Sequence, residues 1–286
     1  MRARLVLLAL LAAVVGCKPG NSIVVGSKNF TEQQLLGELM AQMLEAAGAK
    51  VTRRLGHGGP FVCDTAIRAG QIDVYVEYTG TALTAILKKP PVRDPAEALA
   101  QVRAAYETAG IEWTTPLGFD NSFALVIRGE DAKRLDIKTI SDAVPHAGEW
   151  RAGFGYEFRQ RQDGYAGLHR TYGLVFKFVR IMDLGLLYPA LSEGQVDLVA
   201  GNATDAQIGH FGMAILEDDK HYFPPYEAVP IARKEALESR PELKQMVDKL
   251  GGKIDAATMQ KLNYKIDGEH RDFASVVKEF REGSGL

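Results

Sequence analysis

The chain has 286 residues, 46% hydrophobic and 24% charged, with 34 lysines and arginines against 36 aspartates and glutamates for a formal net charge of −2. Both signs are interspersed and no basic run stands out, which removes the electrostatic basis for a nucleic-acid partner. With only two cysteines, Cys17 and Cys63, the fold must rest on a hydrophobic core, and a chain of this length ordinarily forms two domains.

At the N-terminus Arg2 and Arg4 precede an apolar run of about eleven residues, 5–15, that ends in Gly16 and Cys17. An α-helix needs roughly 20 apolar residues to cross a bilayer, so residues 1–17 read as a cleaved secretory signal and not as a span. The ending Val14-Val15-Gly16-Cys17 resembles a bacterial lipobox, in which the cysteine thiol is acylated and heads the mature protein. The alternative is an ordinary secretory signal with an incidental cysteine. Lipidation at Cys17 leaves the rest of the chain extracytoplasmic, soluble and tethered to a membrane. With Cys17 so assigned, Cys63 has no partner for an intramolecular disulfide.

Beyond the leader, the pattern alternates. A strand is expected over 22–26, followed by a helix over 30–47 with Leu35, Leu36, Leu39, Met40, Met43 and Leu44 at helical spacing. Asn29 and Glu32 are spaced for a capping box, and Gly48 for the far end. A strand over 50–55, a helix over 60–69 and a strand over 72–76 complete a βαβαβ unit, which implies a parallel sheet. Residues 66–74, Ala-Ile-Arg-Ala-Gly-Gln-Ile-Asp-Val, then recur as 190–198, Ala-Leu-Ser-Glu-Gly-Gln-Val-Asp-Leu, at an offset of 124. Each copy reads as a helix end, a glycine cap and the next strand. The preceding elements repeat too: strand 151–155, helix 164–172, strand 175–179 and helix 184–191. The expectation is an α/β chain of two βαβ lobes joined by a hinge, crossed near 118–121 and 217–225. Lobe 1 is then 18–118 plus 218–286, covered by helices over 241–249 and 256–264, and lobe 2 is 119–217. The repeat places Asn202 opposite Tyr78, each just past a parallel strand's carboxyl end, where ligands of open α/β sheets bind.

Several dispersed, ordered segments resemble one family. They are Val25-Gly26-Ser27-Lys28-Asn29-Phe30-Thr31-Glu32-Gln33, Glu77-Tyr78-Thr79-Gly80-Thr81-Ala82 and Glu217-Asp218-Asp219-Lys220-His221-Tyr222-Phe223-Pro224-Pro225-Tyr226. Shorter ones are Gly118-Phe119-Asp120-Asn121, Arg161-Gln162-Asp163-Gly164 and Lys261-Leu262-Asn263-Tyr264. Across nearly the whole mature chain the sequence is similar to the substrate-binding proteins of ABC transporters for glycine betaine, choline, carnitine and related osmoprotectants. The resemblance implies a bilobal, periplasmic-binding-protein-like fold of type II. It also implies capture of a quaternary ammonium or betaine-type zwitterion between the lobes and delivery to a membrane permease with its ATPase. It implies an aromatic cage for the ammonium group, which cannot donate a conventional hydrogen bond and is held by ring quadrupoles at about 0.5–2 kcal/mol per ring. Tyr78 and Tyr226 fall on cage positions. Phe123 stands where a tyrosine is usual, and Asn202 where an aromatic is usual, so one wall carries an amide that favours a more polar ligand. Phe61, after Gly58-Gly59-Pro60, either returns aromatic surface to the pocket or packs in the core of lobe 1. For a carboxylate end the resemblance points to Lys28, Thr81 and Arg161. Each of these has the alternative of an ordinary surface ion pair or cap.

Other constellations are weaker. His57 among glycines has neither a second histidine at ligand spacing nor the partners of a phosphate loop, and Asp218, Asp219 and His221 precede a Pro-Pro turn without forming a metal set. Cys63 has no base beside it and reads as a buried structural thiol. Tyr156, Tyr165 and Tyr188 either edge the cleft or pack within lobe 2. With no matched nucleophile and base, no enzyme activity, metal or cofactor is expected, and the chain is expected to act as a monomer. The alternative functions are the same scaffold binding a non-quaternary solute such as an amino acid, or serving as a ligand sensor. Glycine betaine, choline, carnitine and a thio-betaine such as ergothioneine all remain candidates.

Overall fold

The computed structural model describes residues 22–286, so the expected signal 1–17 and Cys17 lie outside the described residues. Strands β1 (Ile23–Lys28), β2 (Val51–Gly58), β3 (Val74–Tyr78), β4 (Ile111–Trp113) and β10 (Ala228–Arg233) form one sheet in the order β2-β1-β3-β10-β4. Strands β5 (Phe123–Arg128), β6 (Arg151–Phe154), β7 (Phe178–Ile181), β8 (Leu198–Asn202) and β9 (Met213–Leu216) form a second, in the order β7-β6-β8-β5-β9. Both sheets are mixed. β1 runs parallel to β2 and β3, and β6 parallel to β7 and β8, as the βαβαβ pattern demands. β10 joins β3 antiparallel and β5 joins β8 antiparallel, pairings that link residues 150 and 75 positions apart and leave no local periodic signature.

The two sheets exchange the chain twice, side by side. Asp120 and Glu227 form an antiparallel bridge between the two crossings, extended by Asn121 N–H to Tyr226 O at 3.1 Å and Ala228 N–H to Phe119 O at 3.1 Å.

The helix Thr31–Ala46 buries all six apolar residues of its stripe against β1 and β3 on one face, and against Leu243, Met246, Val247 and Leu250 of the helix Pro241–Leu250 on the other. Each such side chain contributes about 1.5–3 kcal/mol when fully buried. The opposite face of the first sheet covers Ile67, Leu83, Val102, Tyr106 and Trp113. The second sheet is covered on both faces as well, by a core around Phe154, Leu168 and Leu174 and another around Leu187, Leu191 and Val196.

The repeated segment has the same local structure in both lobes. Gly70 (φ 68°) and Gly194 (φ 69°) take the left-handed conformation after the helices Pro60–Arg68 and Leu184–Ser192. Gly70 N–H bonds Ile67 O and Gln71 N–H bonds Ala66 O, while Gly194 N–H bonds Leu191 O and Gln195 N–H bonds Ala190 O, the paired bonds of a Schellman ending. Asp73 then accepts the N–H of Val24 at 2.8 Å and Asp197 that of Arg151 at 2.9 Å, each carboxylate also gripped by an arginine from the antiparallel neighbour, Arg233 and Arg128 respectively.

Two local expectations are corrected. The capping box at Asn29 and Glu32 does not form: Phe30 is the N-cap, with no side-chain cap, because the Glu32 carboxylate is turned inward and taken by other donors. The strand expected over 175–179 begins at Phe178, because Leu174 and Phe176 drop into the core before the chain reaches β6.

Candidate functional site

A cavity of about 580 Å³ lies between the two sheets, at the carboxyl ends of β3 and β8. Of the sequence-predicted residues, Lys28, Tyr78, Thr81, Phe123, Arg161, Asn202 and Tyr226 all line it. Phe61 does not, and it is not core either. It is 52% exposed at the second position of the helix Pro60–Arg68, with the Lys88 ammonium 5.0 Å from its ring. A helix that starts with Pro60 directs its first turn outward from β2, so neither reading made for Phe61 describes its place.

Arg161 organises one end. Its Nε and Nη2 grip the two oxygens of Asp163 at 2.8 and 2.6 Å, and Nη2 also reaches Thr84 Oγ1 at 3.2 Å and the Tyr226 hydroxyl at 3.1 Å. Nη1 makes one contact, to Thr81 Oγ1 at 3.3 Å. A guanidinium has two hydrogens on that nitrogen, so one N–H remains for a ligand, beside the Thr81 hydroxyl. The guanidinium carbon lies 5.2 Å from the Phe123 ring centre and 5.6 Å from that of Tyr226. Burial disfavours the Asp163 carboxylate, but Arg161, Thr84 and Tyr226 outweigh it and hold its pKa below the usual value. Thr84 follows β3 and Tyr226 precedes β10 of the first sheet, whereas Arg161 and Asp163 lie between β6 and β7 of the second, so this cluster ties the surroundings of the two sheets together.

Lys28 is 2% exposed, ion-paired with Glu77 at the end of β3 and 4.5 Å from the Tyr78 ring centre. Its charge is therefore matched before any ligand arrives. Tyr78 stacks on Phe30, centroids 6.4 Å apart at 20°, and donates its hydroxyl to Glu32. Glu32 also accepts from Thr204 Oγ1, from Asn121 Nδ2 at 2.8 Å and from Asn263 Nδ2 at 3.3 Å. Burial raises its pKa in spite of those donors. Asn202 ends β8, and its backbone N–H bonds Asp205 at 2.8 Å, which the Tyr188 hydroxyl reaches at 2.6 Å.

Glu32, Asn121, Asp163, Thr204, Asp205 and Asn263 were not singled out as site residues. Four of them sit inside the segments that carried the family resemblance, namely Glu32, Asn121, Asp163 and Asn263, so the signal was present but unassigned. Cys63 is buried as expected, and burial pushes its thiol up to about 11. Among the described residues no group of three or more metal-ligating side chains could hold a metal, and no helix is long and apolar enough to cross a membrane.

Residues 21–283 match the family model described as the substrate binding domain of an ABC-type glycine betaine transport system. The chain belongs to this family. The substrate-binding domain is 34% identical over 270 residues to a carnitine transport binding protein of Listeria monocytogenes, covering 93% of this chain and 88% of that protein. It is also 34% identical over 287 residues to the ergothioneine transport permease/ergothioneine binding protein of Helicobacter pylori, covering 98% of this chain but 52% of that protein. A crystal structure of a glycine betaine/carnitine/choline ABC transporter superposes with a TM-score of 0.81 at 32% identity, covering 92% of this chain and 99% of the other. The expected bilobal α/β architecture of periplasmic substrate-binding proteins is the one this substrate-binding domain has.

Proposed function

We propose that this substrate-binding domain captures a betaine-type zwitterion in the cavity between its sheets and delivers it, chemically unchanged, to the permease and ATPase of an ABC importer. The observation that carries the reading is the Arg161 cluster: a guanidinium clamped by Asp163, with an N–H left over beside the Thr81 hydroxyl, set against the rings of Phe123 and Tyr226 in a cavity that Tyr78 also lines. That arrangement offers an anion two donors and offers a methylated ammonium, a few ångströms away, the faces of aromatic rings. Lobe 1 (18–118 with 218–286) and lobe 2 (119–217) close about the paired crossings at Asp120 and Glu227, and each lobe supplies half of the contacts. Acylation at Cys17, which becomes the first residue once the residues before it are removed, anchors the monomer on the outer side of a membrane. The names of the relatives, carnitine and ergothioneine among them, agree with a betaine head and differ in what is attached to it.

The test is calorimetric titration of the purified protein with glycine betaine, carnitine, choline and ergothioneine, alongside common amino acids. At least one betaine is expected to bind and to raise the melting temperature; ligand at about 100 times its Kd adds roughly 2.7 kcal/mol of stability. Binding of an unmethylated amino acid with no response to any betaine sinks the reading.

A further inference from the structure

Besides the two chain crossings, a third connection joins the surroundings of the two sheets, and it is made entirely by the chain's own atoms. Its centre is Thr204, in the turn that follows β8 of the second sheet. Thr204 is buried, and each of its polar groups is bonded to a residue outside that sheet. Its hydroxyl donates to Glu32 Oε2, its N–H donates to Asn121 Oδ1 at 3.3 Å, and its carbonyl accepts from Asn263 Nδ2 at 3.0 Å. Glu32 lies on the helix Thr31–Ala46 and Asn263 on the helix Ala256–Asp267, both packed into the core of the first sheet through Leu35, Leu36, Met259 and Leu262. Gln260, Asn263 and Tyr264 share one face of the latter helix, at i, i+3 and i+4, and all three reach the segment 203–210. Gln260 Nε2 donates to Ala203 O at 3.0 Å, and the Tyr264 hydroxyl lies 3.1 Å from His210 Nδ1 with the two rings 5.4 Å apart.

Glu32 ties this contact to the cavity. The carboxylate that takes the Thr204 hydroxyl also takes the Tyr78 hydroxyl, and Thr204 follows Asn202, the tip of β8, by two residues. One buried carboxylate thus sets where the tips of β3 and β8 stand relative to each other. We propose that Glu32, Thr204 and Asn263 are positioning residues, a clasp that helps to close the lobes before ligand arrives and so sets the spacing of Tyr78 and Asn202 across the cavity. The inference rests on the two-lobe closure proposed above and adds to it a part of the closing free energy that the chain itself supplies. A ligand that binds the closed form loses apparent affinity in proportion to the fraction of protein that is open, so loosening the clasp lowers affinity as well as stability.

The experiment reads shape and affinity together. Small-angle scattering from the purified, ligand-free protein is expected to give a larger radius of gyration for Thr204→Val than for the wild type. Calorimetry with glycine betaine and with carnitine is expected to show that Thr204→Val loses about tenfold or more in affinity for whichever of them the wild type binds. Thr114→Val is the control. It removes a buried hydroxyl bonded to Pro230 O at 2.8 Å, between β4 and β10 of the first sheet, and should lower the urea midpoint while leaving radius and affinity unchanged. Gln260→Ala combined with Tyr264→Phe trims only the outer bonds of the clasp and is expected to give a smaller shift of the same sign, which decides the matter if Thr204→Val does not fold. Equal radii for the wild type and the clasp variants overturn the inference, whatever the affinities. An opened variant that binds as tightly as the wild type overturns it too, because the clasp then has no part in binding. If the radii differ as expected and neither betaine binds, the clasp stands and the betaine reading has failed.

Discussion

The two lobes share a scaffold and differ at the tip of it. In both, a helix ends in a left-handed glycine, an aspartate stitches the start of the next strand to its neighbour, and an arginine from an antiparallel strand grips that aspartate. At the other end of the same strands the chemistry diverges. β3 ends in Glu77 and Tyr78, buried and committed to Lys28 and Glu32, whereas β8 ends in Asn202, half-buried and directed at Asp205. The scaffold contacts lie at the amino ends of the strands and the site at their carboxyl ends, some five residues away. One end can therefore keep the fold while the other changes the ligand.

Arg161→Met is expected to have the largest effect on that comparison, because it removes the arginine that lines the cavity and leaves Asp163 buried without its counter-ion. A stability loss of about 3–5 kcal/mol and a loss of betaine affinity beyond about 100-fold are expected, read by urea unfolding and calorimetry. Lys28→Met, its lobe 1 counterpart, should cost similar stability through Glu77 but far less affinity, since the Lys28 charge is already matched; equal affinity losses would erase the asymmetry claimed here.

Next in size are two substitutions at the strand tips. Tyr78→Phe keeps the ring and removes a donor from buried Glu32, so about 1–3 kcal/mol of stability is expected to go with little change in binding. Asn202→Tyr makes the second tip resemble the first and should move selectivity toward compact quaternary ammonium compounds, seen as a higher choline-to-carnitine affinity ratio.

A smaller effect is expected at the amino ends. Burial would raise the Asp197 carboxyl, but Arg151 and Arg128 outweigh it and hold it at about 2, below its ordinary 3.8. A depressed acid contributes stability above its unfolded pKa and loses it as pH falls through the folded one, so this increment is present above pH 3.8 and gone near 2. Urea midpoints of the wild type and Asp197→Asn should therefore differ at about pH 5 and converge toward about pH 2.5. The smallest effect belongs to Phe61→Ala. Exposed and outside the cavity, Phe61 should tolerate the change within about 0.5 kcal/mol of stability, with unchanged ligand affinity in the same titration.

How legible this molecule is depends on how local each feature is. The helix Thr31–Ala46, the βαβαβ order and the paired helix endings follow from spacing and from glycine at fixed offsets, interactions within a few residues of one another, and they stand where the sequence places them. The repeat reveals that the scaffold occurs twice, and seven of the eight nominated residues line one cavity, five of them from the family segments. Tertiary structure alone decides what those residues do there. Glu32 has the spacing of a capping residue, yet donors from residues 78, 121, 204 and 263 outcompete a helix terminus for it. Lys28 looks like a surface lysine until Glu77 buries it, and Phe61 looks like a pocket aromatic until the helix start turns it outward. The physical reason is the same in each case. A side chain's conformation is set by the partners it finds in three dimensions, and here those partners arrive from strands and helices that only the two long crossings bring together.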